Sequence, residues 1–308
     1  MPVNSRSNAV VQPLEKVDSF EAFRPNRITA ALLMAIGGIP AWAAADAGTN
    51  TNNITLHAGM PTVTSMVING TVTDITTSTV SGNTGFNSFG DFNVIAGNTV
   101  NLHVPEGKAN LVNLVHDSST VINGTLNGLK DGSIGGNIIF ADPHGLVVGA
   151  SGVVNVGSLT VTTPSPAQMS QLAATMTNGS DADGTALAAD LMAGKYNGGS
   201  GDVSIEGQVY SAGSVNLFAA SAVVASNAQV NAGAQVFQAT VNTDGLVDAT
   251  AAVRQGSILI VGKKDVTISG ELRALMADGG GGGVQVNAPE LNVEATGKIN
   301  TRALAGSQ

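Results

Sequence analysis

Apolar residues along this chain alternate with polar ones over a few positions at a time, and small residues or Pro–Gly kinks interrupt each run. The stretch NIIFADPHGLVVGASGVVNVGSLTV (137–161) is representative: β-branched residues recur at period two, break at Asp142–Gly145, and resume. Period-two alternation between turn residues predicts strands, and strands this short cannot bury their apolar faces alone.

The pattern repeats. LVVGASGVVN (146–155) recurs as LNVEATGKIN (291–300), with Leu, Val, Ala, Gly, a β-branched residue and Asn at matching places. Further copies are MVINGTVT (66–73), TVINGTLN (120–127), GDVSIEGQVY (201–210), AVVASNAQVN (222–231), ATVNTDGLVD (239–248) and KDVTISGELR (264–273). A small residue sits at the centre of each: Gly70, Gly124, Gly152, Gly207, Ala228, Gly245, Gly270 and Gly297. Two positions later stand Val72, Leu126, Val154, Val209, Val230, Val247, Leu272 and Ile299. From Gly207 the intervals are 21, 17, 25 and 27 residues, the spacing of a solenoid unit.

Stacking such units as parallel strands about 4.8 Å apart buries each apolar row against the rows above and below. Gly between two half-strands supplies the positive φ expected at a corner, and the Asn and Thr that follow suit the bends. The fold expected is all-β, a right-handed parallel β-helix. A β-sandwich explains the alternation but not the fixed glycine register.

One segment departs from the pattern. PSPAQMSQLAATMTNGSDADGTALAADLMAGKYNGGSG (164–201) is rich in Ala, Leu and Met. PAQMSQLAATM and GTALAADLMAG read as two short helices linked by a polar Asn-Gly-Ser loop, and DADGT (181–185), weighed by itself, also reads as loop. The whole is an excursion of about 164–200 from the solenoid, lying over its side or edge.

Composition narrows the function. Charged residues are 11%, aromatics 4%, and the formal net charge is −9 with no basic cluster in the body of the chain. Phosphate backbones need concentrated Lys and Arg, so no nucleic-acid partner is expected. The absence of cysteine excludes thiol chemistry and Cys-ligated metals, and for an exported chain it prevents premature cross-linking.

The start of the chain reads as an export signal. RPNRITAALLMAIGGIPAWAAAD places Arg24 and Arg27 before the uncharged run Ile28–Ile39, then Pro40 and an alanine tract. That order directs a chain to the Sec machinery, and the apolar run is too short to span a bilayer. Ala43-x-Ala45 sets the expected cut before Asp46, giving an extended signal at 1–45 and a mature chain at 46–308.

No catalytic constellation stands out. His57, His103, His116 and His144 are isolated in sequence, with no HExxH, nucleophile elbow or phosphate loop. Each histidine reads as a surface or turn residue. GGSGDVSIE (198–206) and DADGT fall out of register for calcium loops. Neither a cofactor nor a metal is expected. A secreted β-helical polysaccharide enzyme or carbohydrate-binding protein is the alternative class, but Trp42 lies in the signal and acidic residues are scattered singly.

Three segments together resemble a known family: FNSFGDFNVIAGNTVNLHVPEGKANLVNLV (86–115), INGTL (122–126) and GGNIIFADPHGLVVG (135–149). They are similar to the two-partner-secretion domain of filamentous-haemagglutinin-like and high-molecular-weight adhesins. The family pattern has spaced Phe residues before Phe-Asn-Val, matched by Phe86, Phe89 and Phe92 with Asn93 and Val94. An Asn in a short apolar segment follows, matched by Asn113, then Ile-x-Gly-x-Leu, then Asn-Pro-Asn-Gly-Ile at a corner. Here that last motif is Asp142-Pro143-His144-Gly145-Leu146.

The resemblance implies a domain exported to the periplasm and recognised while poorly folded. The recogniser is a TpsB-type outer-membrane barrel transporter with periplasmic POTRA domains, and the chain folds at the cell surface. Asn113, Asp142, Pro143, His144 and Gly145 are the implied recognition residues, with the phenylalanines as packing. Only TRALAGSQ follows the last repeat copy, so the chain is expected to be a fragment, a truncated reading frame or a module that needs a downstream partner, with any contact to extracellular polysaccharide or a host surface lying in downstream sequence.

Overall fold

The computed structural model describes residues 51–58, 60, 63–233, 256–274 and 282–301, which belong to one unit, Asn50–Gln308. The expected signal with Ala43 and Ala45, the repeat copy at Gly245 and Val247, and most of the glycine run 278–283 lie outside the described residues.

The fold is all-β, with mostly parallel strands and two helices among the described residues. It begins with β1 (Asn53–Leu56), β2 (Thr64–Asn69), β3 (Val72–Thr77), β4 (Val80–Ser81) and β5 (Thr84–Val94). The next circuit is β6 (Thr99–His103), β7 (Asn110–Val115) and β8 (Thr120–Ile122). Then come β9 (Thr125–Lys130), β10 (Ser133–Ile134), β11 (Asn137–Ala141) and β12 (Gly145–Val148), followed by β13 (Val153–Val156), β14 (Ser158–Thr162) and β15 (Asp202–Ile205). Later circuits are β16 (Gln208–Ser211) with β17 (Ser214–Val224), β18 (Gln229–Ala232) with β19 (Ser257–Ile268), and β20 (Glu271–Ala274) with β21 (Gly283–Asn287) and β22 (Glu290–Val293). β23 (Lys298–Asn300) closes the described strands.

Each circuit pairs in parallel with the one before it. One column of strands runs β3-β6-β9-β13-β16-β18-β20-β23. The long strands β5, β17 and β19 each contribute to two further columns, pairing through their first halves with one set of neighbours and through their second halves with another.

The register explains the repeat. Val100, Leu126, Val154, Val209, Val230, Leu272 and Ile299 stand opposite one another through the first column. All but Ile299 are buried in one continuous core. Leu146 and Leu291 share another column, aligned through Val203, Ala222 and Val266. Each buried Val, Leu or Ile removes apolar surface from water worth about 1.5–3 kcal/mol before entropy. The layers are therefore held by their neighbours rather than by any single strand. Val72 is the exception to the expected series: it pairs with Thr99, and Thr73 takes the core position.

The first circuit shows why. VINGT at 67–71 forms a hairpin, with β2 antiparallel to β3, Asn69 opposite Val72 and Gly70 at φ 60. The same string at 121–125 turns a corner between β8 and β9, and the chain continues forward. The expectation of positive φ at the corner glycines is corrected accordingly, since among the described glycines of that series only Gly70 has it. Elsewhere the demand is for close approach. A Cβ on Gly124 would press into the carbonyl oxygens of Ile95 and Asn98, one on Gly207 into those of Gly149 and Gly152, and one on Gly270 into those of Ala225 and Ala228.

Polar ladders accompany the apolar columns. Asn127 Nδ2 donates to Asn101 Oδ1 at 3.0 Å and Asn155 Nδ2 to Asn127 Oδ1 at 2.9 Å, all three side chains being buried. Asn137 Nδ2 donates to Asn110 Oδ1 at 2.7 Å. Stacking identical amides one layer apart gives each Nδ2 an acceptor in the layer before it, as buried polar groups require, and leaves Asn155 Oδ1 at the end of its ladder without a partner among the described residues.

The excursion is α1 (Pro166–Asn178) and α2 (Asp181–Met192), each opened by a capping box, Ser165 with Gln168 and Ser180 with Asp183. DADGT, read above as loop, is instead the first turn of α2, with Asp181 and Asp183 placed where the helix dipole favours negative charge. Met169, Leu172, Met176, Leu187, Ala188 and Leu191 form a second core with Phe86, Val112, Leu114, Ile139 and Ala141. The helices are pinned to the first circuit. Ser81 Oγ donates to Ser180 O at 2.7 Å, Gly82 N to Asp181 Oδ1 at 2.7 Å, and Thr84 Oγ1 to Gly184 O at 3.0 Å.

Candidate recognition site

The three phenylalanines of the 86–94 segment divide between the two cores. Phe89 and Phe92 point into the stack, where Phe92 meets Phe89 and Phe140 edge-on with centroids 5.0 and 5.3 Å apart. Phe86 lies on the other side, beneath the helices. Alternation along β5 separates Phe86 from Phe89, while Phe89 and Phe92 share a side because the strand changes partner from β7 to β8 between them and the alternation is interrupted there.

Asn113 lies on β7, fully buried. Its Oδ1 accepts from Asn87 Nδ2 at 3.0 Å, and its Nδ2 donates to Ile139 O at 3.3 Å. Thr64 Oγ1 donates to Asn87 Oδ1 at 3.0 Å, so one polar chain runs from β2 through β5 and β7 to β11. Asn113 stands opposite Phe140, two residues before the Asp142 turn.

That turn is closed by Gly145 N donating to Asp142 O at 3.1 Å. Asp142 is fully buried and organises it. Asp142 Oδ1 accepts the His144 backbone N–H at 2.8 Å, while Oδ2 accepts both the N–H and the hydroxyl of Thr120 at 2.8 Å. Burial raises the Asp142 carboxyl above its ordinary value, opposed by these hydrogen bonds and by the nearby His144. Gly145 has φ 98, and a Cβ there would run into the Asp202 backbone, so glycine is required twice over. Pro143 is half-buried and His144 exposed. Of the implied recognition residues only these two reach the surface.

Histidines isolated in sequence meet here. His57 and His116 stack with ring centroids 3.8 Å apart and planes 16° from parallel. Both line a cleft of about 470 Å³ with His144, Pro143, Met60 and the α1 residues Pro166, Met169, Ser170 and Ala173. His116 Nε2 lies 3.1 Å from Ser88 Oγ. The fourth, His103, is elsewhere, 2.8 Å from Asp74. No sequence spacing announces this meeting, because β1 runs antiparallel to β5 and brings His57 in from outside the repeat. Among the described residues no group of His, Asp or Glu is placed to hold a metal ion.

Short parallel strands, stacked amides and a buried carboxylate at a corner define a layered, all-β domain. The TPS secretion domain family model matches residues 42–304, and the chain belongs to that family. Domains of this family target proteins for two-partner secretion across the outer membrane, with an outer-membrane transporter as partner. The family is one of secretion modules rather than of enzymes. Among solved structures, the chain is similar to the HMW1 secretion domain from Haemophilus influenzae at 14% identity and a TM-score of 0.45, over 82% of this chain and 74% of that one. No curated protein matches the chain.

Proposed function

We propose that this chain is the secretion-targeting module of a large adhesin-type exoprotein, read by a cognate TpsB-type transporter through its periplasmic POTRA domains. The 1–45 signal delivers it through the Sec machinery, with cleavage after Ala45. The domain then folds at the cell surface as a right-handed parallel β-helix. The observation that carries this reading is the family match over 42–304.

The site geometry supports one feature of it. Asn113 and Asp142 are fully buried once the circuits close, so a transporter that reads them does so on the unfolded chain. Closing each circuit then hides Asn113 and Asp142 and buries apolar side chains, each worth about 1.5–3 kcal/mol before entropy. Nearest-neighbour stacking lets this proceed circuit by circuit as the chain emerges. Outward movement would draw on that folding free energy.

The test is co-expression of the chain with and without its transporter, beside Asn113→Ala and Pro143→Ala. Release to the medium only with the transporter, and lost in the variants while periplasmic levels persist, is expected. Release that ignores the transporter would refute the reading.

A further inference from the structure

The stacked histidines invite a question that secretion does not answer. β1 is held to β5 antiparallel, with Asn53 opposite Asn93, Ile54 opposite Phe92 and Leu56 opposite Phe89. It covers an edge of the first circuit that would otherwise be open to pairing with another chain. Its attachment ends at His57, whose N–H donates to Ser88 O at 3.2 Å and whose ring lies face to face with that of His116.

Two imidazoles 3.8 Å apart can stack while neutral, but two imidazolium ions at that distance repel. The surroundings offer limited relief. Asp117 Oδ1 is 3.8 Å from His57 Nδ1, and its carboxylate is mostly exposed. Asp91 is engaged by the hydroxyls of Ser118 and Thr55. His144 is a third imidazole lining the cleft, and its neighbour Asp142 is buried and committed to Thr120 and the His144 N–H. α1 brings only Pro166, Met169, Ser170 and Ala173 to the cleft, so no helix charge compensates.

We propose that the His57–His116 stack is an acid-labile clasp for β1: neutral rings close the first circuit, and charged rings repel and release the strand.

The titration of His116 agrees in sign. Its value is lowered to about 4, by burial first and by His57 second, with Asp117 opposing. The folded state therefore binds fewer protons at this ring than the unfolded state, whose histidine titrates near 6.5. The stabilisation is complete above that ordinary value and is lost as the pH falls from there towards 4. The clasp is thus shut at neutral pH and weakened in acid.

The experiment uses the full chain at pH 7.5 and pH 5.0, with His116→Gln and His57→Phe beside it. The phenylalanine keeps a stacking ring and removes one charge. Hydrogen–deuterium exchange of the Asn53–Leu56 amides is measured relative to Thr120–Ile122 in the same sample, which cancels the intrinsic effect of pH. For the parent chain, relative exchange of β1 is expected to rise about tenfold in acid. In His116→Gln that rise is expected to disappear, and in His57→Phe, which leaves His116 buried, to shrink by less. Equal acid loosening in the variants, or loosening shared evenly with Thr120–Ile122, would overturn the clasp.

Discussion

Asp142 Oδ2 accepts both the backbone N–H and the hydroxyl of Thr120, each at 2.8 Å, and joins the corner before β12 to the start of β8 one circuit earlier. The carboxylate has two oxygens for three donors, the third being the His144 N–H. An amide there, as in the Asn-Pro-Asn-Gly-Ile pattern, offers one acceptor oxygen. Asp142→Asn is therefore expected to weaken the corner by about 1 kcal/mol, since one donor loses its acceptor while the cost of burying the charge is relieved. Urea unfolding at pH 7 measures this.

The same residue has a pH signature. Burial raises its folded value, so the folded state keeps this proton more readily than the unfolded state. Its contribution to stability is greatest in acid and declines as the pH rises through the unfolded and then the folded value. In Asp142→Asn that decline is expected to disappear, as read from unfolding free energies between pH 3 and 7. Persistence of the decline would assign it to other carboxyls.

Asn113→Ala removes the acceptor for Asn87 Nδ2 and a donor to Ile139 O inside the core. Leaving a buried polar group without its partner costs about 1–3 kcal/mol. A lower unfolding midpoint is expected for the purified variant, so its secretion must be compared with a variant of matched stability. Asn127→Ala, which breaks two bonds of the Asn101–Asn127–Asn155 ladder, supplies that control.

Gly184→Ala separates helix propensity from packing. Propensity alone favours alanine by about 1 kcal/mol in a helix interior. In α2, however, the added Cβ would run into the Ser81 backbone and side chain. A loss of about 1–3 kcal/mol is expected, as for other overpacked sites. Gly283→Ala, where nothing lies within contact distance, is expected to change stability by no more than about 1 kcal/mol. Thermal unfolding of the pair checks both.

Much of the layering is legible in the sequence because parallel stacking puts equivalent residues opposite one another. Leu126, Val154, Val209, Val230, Leu272 and Ile299 can be aligned by eye and are aligned in the fold. What local pattern does not carry is direction. VINGT encodes a tight bend, and the contacts beyond it decide whether the chain folds back at Gly70 or moves on at Gly124. The start of α2 is hidden for a similar reason, since Ser180-x-x-Asp183 resembles a polar loop until Asp183 caps Ser180. The His57–His116 stack lies further from reach, because it depends on an antiparallel strand that does not belong to the repeat. Asn113 and the Asp142 turn can be singled out from the sequence, whereas their complete burial follows only from the stacked neighbours.

The most direct measurement is release of the chain to the medium in cells with and without the transporter, scored alongside its periplasmic level. The proposed role predicts release only when the transporter is present, with Asn113→Ala and Pro143→Ala retained in the periplasm while an Asn127→Ala control of matched stability is released. Equal release without the transporter, or equal loss in the control, would contradict recognition at Asn113 and the Asp142–Gly145 turn.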